Sequence, residues 1–138
     1  MKLNPYLALH FDGRCEDAFK FYERFLGGKI AFMMRWSDSP IADQAAPEWK
    51  QKILHARIAF GDTEVVGGDV LPDQYEKPKG FSVMLDFNAP ADAERVFQAL
   101  AENGTVQIPL QKTFWATRFG HVVDQFNVPW TINCEETK

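Results

Sequence analysis

The sequence contains little cysteine and no long apolar run. Its two cysteines, Cys15 and Cys134, cannot build a disulfide framework, and their spacing is not that of a zinc finger. No apolar run approaches the roughly 18 residues of a membrane-spanning helix. The first residues, Met1 to Pro5, lack the apolar stretch of a signal peptide. We therefore expect a cytoplasmic protein that has no membrane partner.

Clusters of positive charge are also lacking. Lys and Arg total 15 against 19 Asp and Glu, which gives a net charge of −4, and the basic residues are scattered along the chain. Proteins that bind a phosphate backbone usually concentrate basic residues on one face. The sequence also has no phosphate loop, dinucleotide fingerprint or nucleophile elbow. We predict neither a nucleic-acid partner nor a cofactor.

Apolar and aromatic residues, by contrast, are abundant. Hydrophobic types make up 46% of the 138 residues, which is enough to fill a core, and the length predicts a single domain over 1–138. Twelve Phe and four Trp suggest a use beyond core filling. They favour a protein that binds a small organic molecule, because aromatic rings offer flat apolar area.

Two segments of the chain repeat one helical pattern. Pro90 suits the first position of the second helix, and Gly27 and Gly104 suit left-handed caps at the two helix ends. In both segments apolar residues recur at the i, i+3, i+4, i+7 and i+8 spacing of an amphipathic helix. The first set is Ala18, Phe21, Tyr22, Phe25 and Leu26, and the second, 75 positions later, is Ala93, Val96, Phe97, Leu100 and Ala101.

Four strand-like segments accompany each helix. In the first half they are Tyr6 to Phe11, Lys29 to Trp36, Ile53 to Phe60 and Thr63 to Val70. In the second half they are Gly80 to Phe87, Thr105 to Leu110, Arg118 to Asp124 and Asn127 to Cys134. Each half is therefore predicted to have the order β-α-β-β-β, in modules of about 1–72 and about 79–138. A ferredoxin-like fold, the alternative, has only two strands between its helices.

The two halves predict an α+β fold with an open concave face. One helix can cover only one face of a four-stranded sheet, so the other face must meet a second surface. That surface lies within the chain or in a second copy of it. We expect a ligand on the concave face.

Several segments resemble the PhnB-like group of the vicinal oxygen chelate superfamily, which includes glyoxalases, bleomycin-resistance proteins and dioxygenases. The resemblance covers nearly the whole chain and implies two βαβββ modules that form a curved mixed sheet, and a homodimer. The group is sometimes labelled a 3-demethylubiquinone-9 3-methyltransferase domain. The matching segments include Asn4–Leu7, Cys15–Ala18, Leu26–Gly28, His55–Arg57, Gly61–Thr63, Pro109–Trp115, Arg118–Gly120 and Trp130–Cys134.

The resemblance also indicates where a metal would bind. Metal enzymes of the superfamily carry His or Glu ligands on the first and last strands of each module. The corresponding positions here hold Leu7, Gly67 or Gly68, Phe81 and Asn133. Leu, Gly and Phe have no side-chain donor. We therefore predict that the protein has no metal site.

Two alternatives to metal-independent binding stay open. One is a metal-dependent lyase, isomerase or dioxygenase that uses other donors, such as His55, His121 and either Glu64 or Asp69. The other is a methyltransferase, as the family label suggests, which is less favoured because the sequence shows no glycine-rich nucleotide-binding segment. The sequence assigns no catalytic residue.

Aromatic and basic side chains at or near strand ends are the candidate ligand contacts. Aromatic walls suit a flat ligand, and an arginine can bind a ligand carboxylate through two hydrogen bonds. The competing interpretations are core or dimer packing for the aromatic residues, a structural salt bridge for the arginine and a hydrogen-bonded structural role for the histidine. The predicted contacts are Tyr6, Trp36, His55, Trp115, Arg118 and Trp130.

Three further residues each have two interpretations. Cys15 near the first helix start could have a thiol pKa lowered by the helix dipole, or it could be an ordinary buried cysteine. Arg57 lies in an apolar strand, so it should find a carboxylate or be exposed. His10, near a strand end, is interpreted as solvent-facing or as a polar cap.

Overall fold

A computed structural model describes residues 1–135 and confirms the predicted α+β fold. The chain divides into two compact units, one over Met1–Glu76 and one that begins at Lys77. Each unit contains one α-helix and one four-stranded mixed sheet. No helix in the described part of the chain is long and apolar enough to cross a membrane.

Unit one has the predicted β-α-β-β-β order. The elements are β1 Leu7–Phe11, α1 Cys15–Leu26, β2 Lys29–Arg35, β3 Ile53–Phe60 and β4 Thr63–Asp69. Strand β1 pairs in parallel with β4, and the other pairs are antiparallel, which gives the strand order β1-β4-β3-β2. Short 3₁₀ segments fill the long connection after β2.

Unit two repeats this order in its own sheet. The elements are β5 Val83–Asp86, α2 Pro90–Ala101, β6 Thr105–Gln111, β7 Ala116–Val123 and β8 Pro129–Glu135. Strand β5 pairs in parallel with β8, and the strand order β5-β8-β7-β6 matches that of unit one element by element. Strand β5 is shorter than predicted, since Gly80 to Ser82 and Phe87 lie outside it.

Each helix packs an aromatic ring against a glycine of its own sheet. Phe19 of α1 is fully buried, although it lies outside the predicted apolar stripe. A Cβ on Gly67 would lie 2.9 Å from the Phe19 ring, and a Cβ on Gly120 would lie 2.8 Å from the ring of Phe97. Glycine in the sheet therefore lets the helix approach closely.

The predicted helix ends are confirmed in two of three positions. Pro90 begins α2, and Gly27 ends α1 with φ of 74°. The prediction for Gly104 is wrong, because Asn103 adopts the left-handed conformation instead, with φ of 57°. Asparagine tolerates that region. Gly104 is needed for a different reason: a Cβ there would collide with the backbone oxygen of Val123.

Candidate functional site

The sheet of unit one has a cleft on the face opposite α1. Side chains alternate between the two faces of a strand, so Leu9 points towards the helix while Ala8 and His10 point away from it. The cleft has a volume of about 270 Å³. Backbone of Gly67 and Gly68 forms part of its wall, and the side chains around it include His10, Trp36, Leu54, His55, Val66 and Gln74.

Two histidines flank a glycine across the floor of the cleft. His10 of β1 pairs with Gly68 of β4. The pairing of Ala56 with Gly67 brings His55 opposite Gly68 on the other side. Neighbouring strands lie about 4.8 Å apart, so the two histidine Cα atoms are separated by roughly 10 Å. We call this arrangement the His–Gly–His row; no side chain projects from its centre, where the backbone oxygen of Leu54 lies next to Gly68.

A bulge in β3 shapes the row. Met34 of β2 pairs with His55 and Arg35 pairs with Ile53, which leaves Leu54 as the extra residue. The bulge brings Leu54 and His55 together at the cleft, while Ile53 stays in the core. A Cβ on Gly68 would collide with the backbone oxygen of Leu54. The bulged backbone at Leu54 therefore requires glycine at position 68.

Trp36 is a fixed wall of the cleft. Its side chain is only 6% exposed. The indole Nε1 donates a hydrogen bond of 3.0 Å to the backbone oxygen of Asp69. Because both the ring and its polar atom are held, Trp36 presents a preformed apolar surface to the cleft.

Among residues 1–135, Asp69 is the one acidic residue that lines the cleft, and its carboxylate holds the backbone. Its Oδ1 accepts from the N–H groups of Gly13 and Cys15 at 2.9 Å each, and its Oδ2 accepts from Ile53 at 2.8 Å. The first two contacts satisfy donors at the start of α1. Burial raises the pKa of Asp69, while the three N–H donors and Lys52 act in the opposite direction.

Two of the donors proposed for a metal already have other partners. Asp69 directs both oxygens to backbone N–H groups, and in unit two His121 Nδ1 lies 2.9 Å from the hydroxyl of Thr131. Across residues 1–135, no three His, Cys, Asp or Glu side chains are grouped so that they could hold a metal ion. The residues present therefore do not fit the superfamily's metal ligands.

Positive charge lies beside His55 on the sheet face opposite α1. The ring of Phe32 is 5.9 Å from the His55 ring, and the Arg57 guanidinium lies 5.6 Å from the centroid of Phe32. Arg57 is exposed, which was one of its two predicted states. A cation stacked on an aromatic ring keeps its charge available to an anion.

Of the six predicted ligand contacts, the structure brings two together in the cleft. Trp36 and His55 both line it. Tyr6 lies one residue before β1, is 62% exposed and does not line the cleft. Its contact with a ligand stays a prediction.

The other three predicted contacts belong to unit two. Trp115 is 45% exposed and packs against Phe119, with ring centroids 5.1 Å apart. Arg118 Nε donates to a carboxylate oxygen of Glu94 at 2.9 Å, which is the structural salt bridge that competed with ligand binding. Trp130 is buried, and its Nε1 donates to Asp124 at 2.8 Å. Their contacts with a ligand stay predictions.

Sequence reasoning missed His10 and Gln74. His10 alternates with the apolar residues Leu9 and Phe11, and this period of two places it on the opposite face from the core. That signal predicts the face of the sheet on which His10 lies. It does not predict the residues near His10, because these depend on the parallel pairing of β1 with β4. Gln74, in the 3₁₀ segment Pro72–Gln74, gives no signal in the sequence.

Cys15 is an ordinary buried cysteine. Its side chain is fully buried, and burial raises the pKa of its thiol, with a further increase from the nearby Asp69 carboxylate. The alternative of a thiol activated by the helix dipole is wrong. Desolvation and a neighbouring negative charge outweigh the dipole at this position.

Comparisons with known proteins agree with the fold and with the predicted resemblance. A family model described as Glyoxalase/Bleomycin resistance protein/Dioxygenase superfamily matches residues 5–132. The Escherichia coli K12 protein YjdN is 34% identical, over 96% of this chain and 95% of its own length. The crystal structure of PA1353 from Pseudomonas aeruginosa is 42% identical, with a TM-score of 0.88 over 99% of this chain and all of its own.

A PhnB protein from Bacillus cereus shares the fold at lower identity. It is 22% identical, and its TM-score is 0.81 over 96% of this chain and 99% of its own. The predicted resemblance to the wider superfamily is confirmed by the family model, and the PhnB protein shows the same fold.

Proposed function

This chain belongs to the Glyoxalase/Bleomycin resistance protein/Dioxygenase superfamily, and from that premise we propose that it binds a small organic ligand without a metal ion, in the cleft of unit one. The observation that carries the proposal is the His–Gly–His row beside the fixed indole of Trp36. Apolar walls with a few placed polar groups are typical of small-molecule sites. The volume of about 270 Å³ suits a ligand of one ring.

Metal-independent binding is supported by the chemistry of the lining residues. The cleft offers two imidazoles and one amide, and the Asp69 carboxylate is already held by three N–H donors. Such a site can orient a ligand by hydrogen bonds and ring contacts. The described residues that line the cleft include no Ser, Thr, Cys or Lys, which supports binding rather than a covalent reaction.

The proposal can be tested with benzamide, a neutral single-ring probe. Saturation-transfer NMR on chelator-treated protein should show benzamide binding. The substitution Val66→Trp puts a large ring into the cleft and should abolish the signal, whereas Val106→Trp, at an exposed position on β6, should leave it unchanged. Binding that survives Val66→Trp, or that appears only after a divalent metal is added, would overturn the proposal.

We also propose that the protein is a cytoplasmic homodimer. The resemblance to the PhnB-like group supports the dimer, as does an exposed aromatic pair: Phe114 is 95% and Trp115 is 45% exposed. Large exposed aromatic side chains often mark a contact surface.

A further inference from the structure

We propose that the ligand of the cleft is a small aromatic dianion whose two acidic groups lie at opposite ends and are held by His10 and His55. This inference rests on the proposed function and adds the chemical class of the ligand. It follows from the spacing of the row, from the absence of competing partners and from the local charge.

The two imidazoles are separated by a gap that the backbone enforces. Leu9 and Ala56 both pair with Gly67, and His10 and His55 are the next residues along the same direction on either side of Gly68. A side chain at position 68 would collide with the backbone oxygen of Leu54. The histidine Cα atoms are therefore kept roughly 10 Å apart with no side chain between them. A molecule that spans the gap can accept one hydrogen bond at each end.

Both imidazoles are available as donors. His10 and His55 are exposed, and within residues 1–135 neither has a hydrogen-bond or ion-pair partner; His55 has only the ring contact with Phe32. An imidazole donates through N–H in its neutral and its protonated form. Carboxylates are the acceptors that give the stronger, charge-assisted bonds with a protonated ring.

The charges around the row favour a negative ligand. Arg57 lies on the same face as His55 and rests on Phe32, 5.6 Å from the ring centroid, without a carboxylate partner among the described residues. Asp69, the acid that lines the cleft, is 2% exposed and accepts three backbone hydrogen bonds. A cation on the same sheet face as His55, together with an acid whose oxygens are held by backbone N–H groups, makes the cleft more favourable for anions than for cations.

An aromatic centre fits between the two ends. The floor under the gap is backbone, and the surrounding side chains of Trp36, Leu54 and Val66 are apolar. A flat ring can lie over this backbone, which includes the Leu54 carbonyl next to Gly68, and contact these side chains. Groups on opposite ring positions can then reach the two imidazoles.

Isothermal titration with four probes tests this inference. Terephthalate carries its carboxylates at opposite ends of the ring, phthalate carries them side by side, benzoate has one, and benzamide is neutral. We expect terephthalate to bind at least tenfold more tightly than benzoate. Phthalate should bind like benzoate, because it can reach only one imidazole.

Substitution of each histidine identifies the contacts. His10→Ala and His55→Ala should each reduce terephthalate affinity to the level of benzoate, while benzamide still binds. His121→Ala, which removes the remaining histidine of the chain, should leave the preference for terephthalate intact. If an alanine variant unfolds, His10→Gln and His55→Gln keep a side-chain donor and should retain part of the preference.

The outcomes separate the two proposals. If benzamide and benzoate bind but terephthalate binds no better, the dianion inference is overturned and the proposed function stands. If none of the four probes binds, both fail. A preference for phthalate over terephthalate, or a preference unaffected by both histidine substitutions, would also overturn the inference.

Discussion

At the scale of single residues, Asp69 connects the helix, the bulged strand and the cleft. Its carboxylate accepts from Gly13 and Cys15 at the start of α1 and from Ile53 at the start of β3. Helix α1 has no side-chain cap of its own. A residue 54 positions away in sequence from Cys15 therefore supplies the cap.

The substitution Asp69→Asn should destabilise the protein. An asparagine has one acceptor oxygen, so its amide N–H₂ must face at least one of the three buried backbone donors, which loses its partner. We expect a loss of about 1–3 kcal/mol in the free energy of unfolding, measured with urea. Asp62→Asn, in the exposed turn between β3 and β4, is the control and should change little.

The pH dependence of this loss has a defined sign. Because burial raises the pKa of Asp69, the folded protein holds the Asp69 proton more tightly than the unfolded chain does. Its contribution to stability is full below the ordinary Asp pKa and decreases as pH rises through the raised value. The difference between wild type and Asp69→Asn should therefore shrink from acid to neutral pH. A difference that grows over this range would show that the folded-state pKa is lowered.

At the scale of elements, close contacts at glycine position the helix and the bulge of unit one. On the helix side, Gly67 admits the ring of Phe19. On the open side, Gly68 admits the backbone of the β3 bulge at Leu54. Two adjacent glycines thus serve opposite faces of β4.

The contact between Phe19 and Gly67 can be measured by a double-mutant cycle. Gly67→Ala should cost about 1–3 kcal/mol in the free energy of unfolding, because the new methyl group overlaps the Phe19 ring. In a Phe19→Leu background the same substitution should cost less, since the smaller side chain makes room. Equal costs in the two backgrounds would show that the overlap with Phe19 is not the cause.

Gly68→Ala should damage the cleft. The added methyl group would displace the backbone of Leu54 and with it His55, so benzamide binding should fall more than tenfold in NMR titrations. Gly27→Ala is a useful comparison, because that position has φ of 74° but open space around it. Gly27→Ala should lower the free energy of unfolding by about 1–2 kcal/mol and leave benzamide binding intact. Equal benzamide binding in the two variants would contradict the role given to Gly68.

At the scale of the whole molecule, the repeated pattern in the sequence was sufficient to predict the fold. The apolar stripes around Ala18 and Ala93 predicted both helices, and the count of four strands between them excluded a ferredoxin-like domain. Local signals succeed here because helix and strand periods depend on nearby residues. The candidate site was predicted only in part. Trp36 and His55 were predicted contacts and line the cleft, whereas His10, which also lines it, was interpreted as solvent-facing or as a polar cap.

The remaining features of the site depend on contacts between distant segments. The bulge at Leu54, the position of Gly68 between two histidines and the cap supplied by Asp69 each require the β1–β4 or β3–β4 pairing. Strand register is set by packing of the whole sheet. A single sequence does not specify it locally.

The proposed homodimer gives a direct expectation for mass. Light scattering after size exclusion should give twice the chain mass of 15.8 kDa. Phe114→Ser, which removes the most exposed aromatic ring of the described chain, should shift the equilibrium towards the monomer if that ring lies in the contact. A single species of 15.8 kDa in the wild type at high protein concentration would contradict the dimer.

The histidines allow the most direct test of the binding site, because the chain contains only three of them. Imidazole resonances can be followed by NMR while terephthalate is added to chelator-treated protein. His10 and His55 should shift together and reach saturation at the same ligand concentration, and His121 should stay unchanged. A shift of His121 with no change at His10 and His55 would contradict a ligand site in the cleft of unit one.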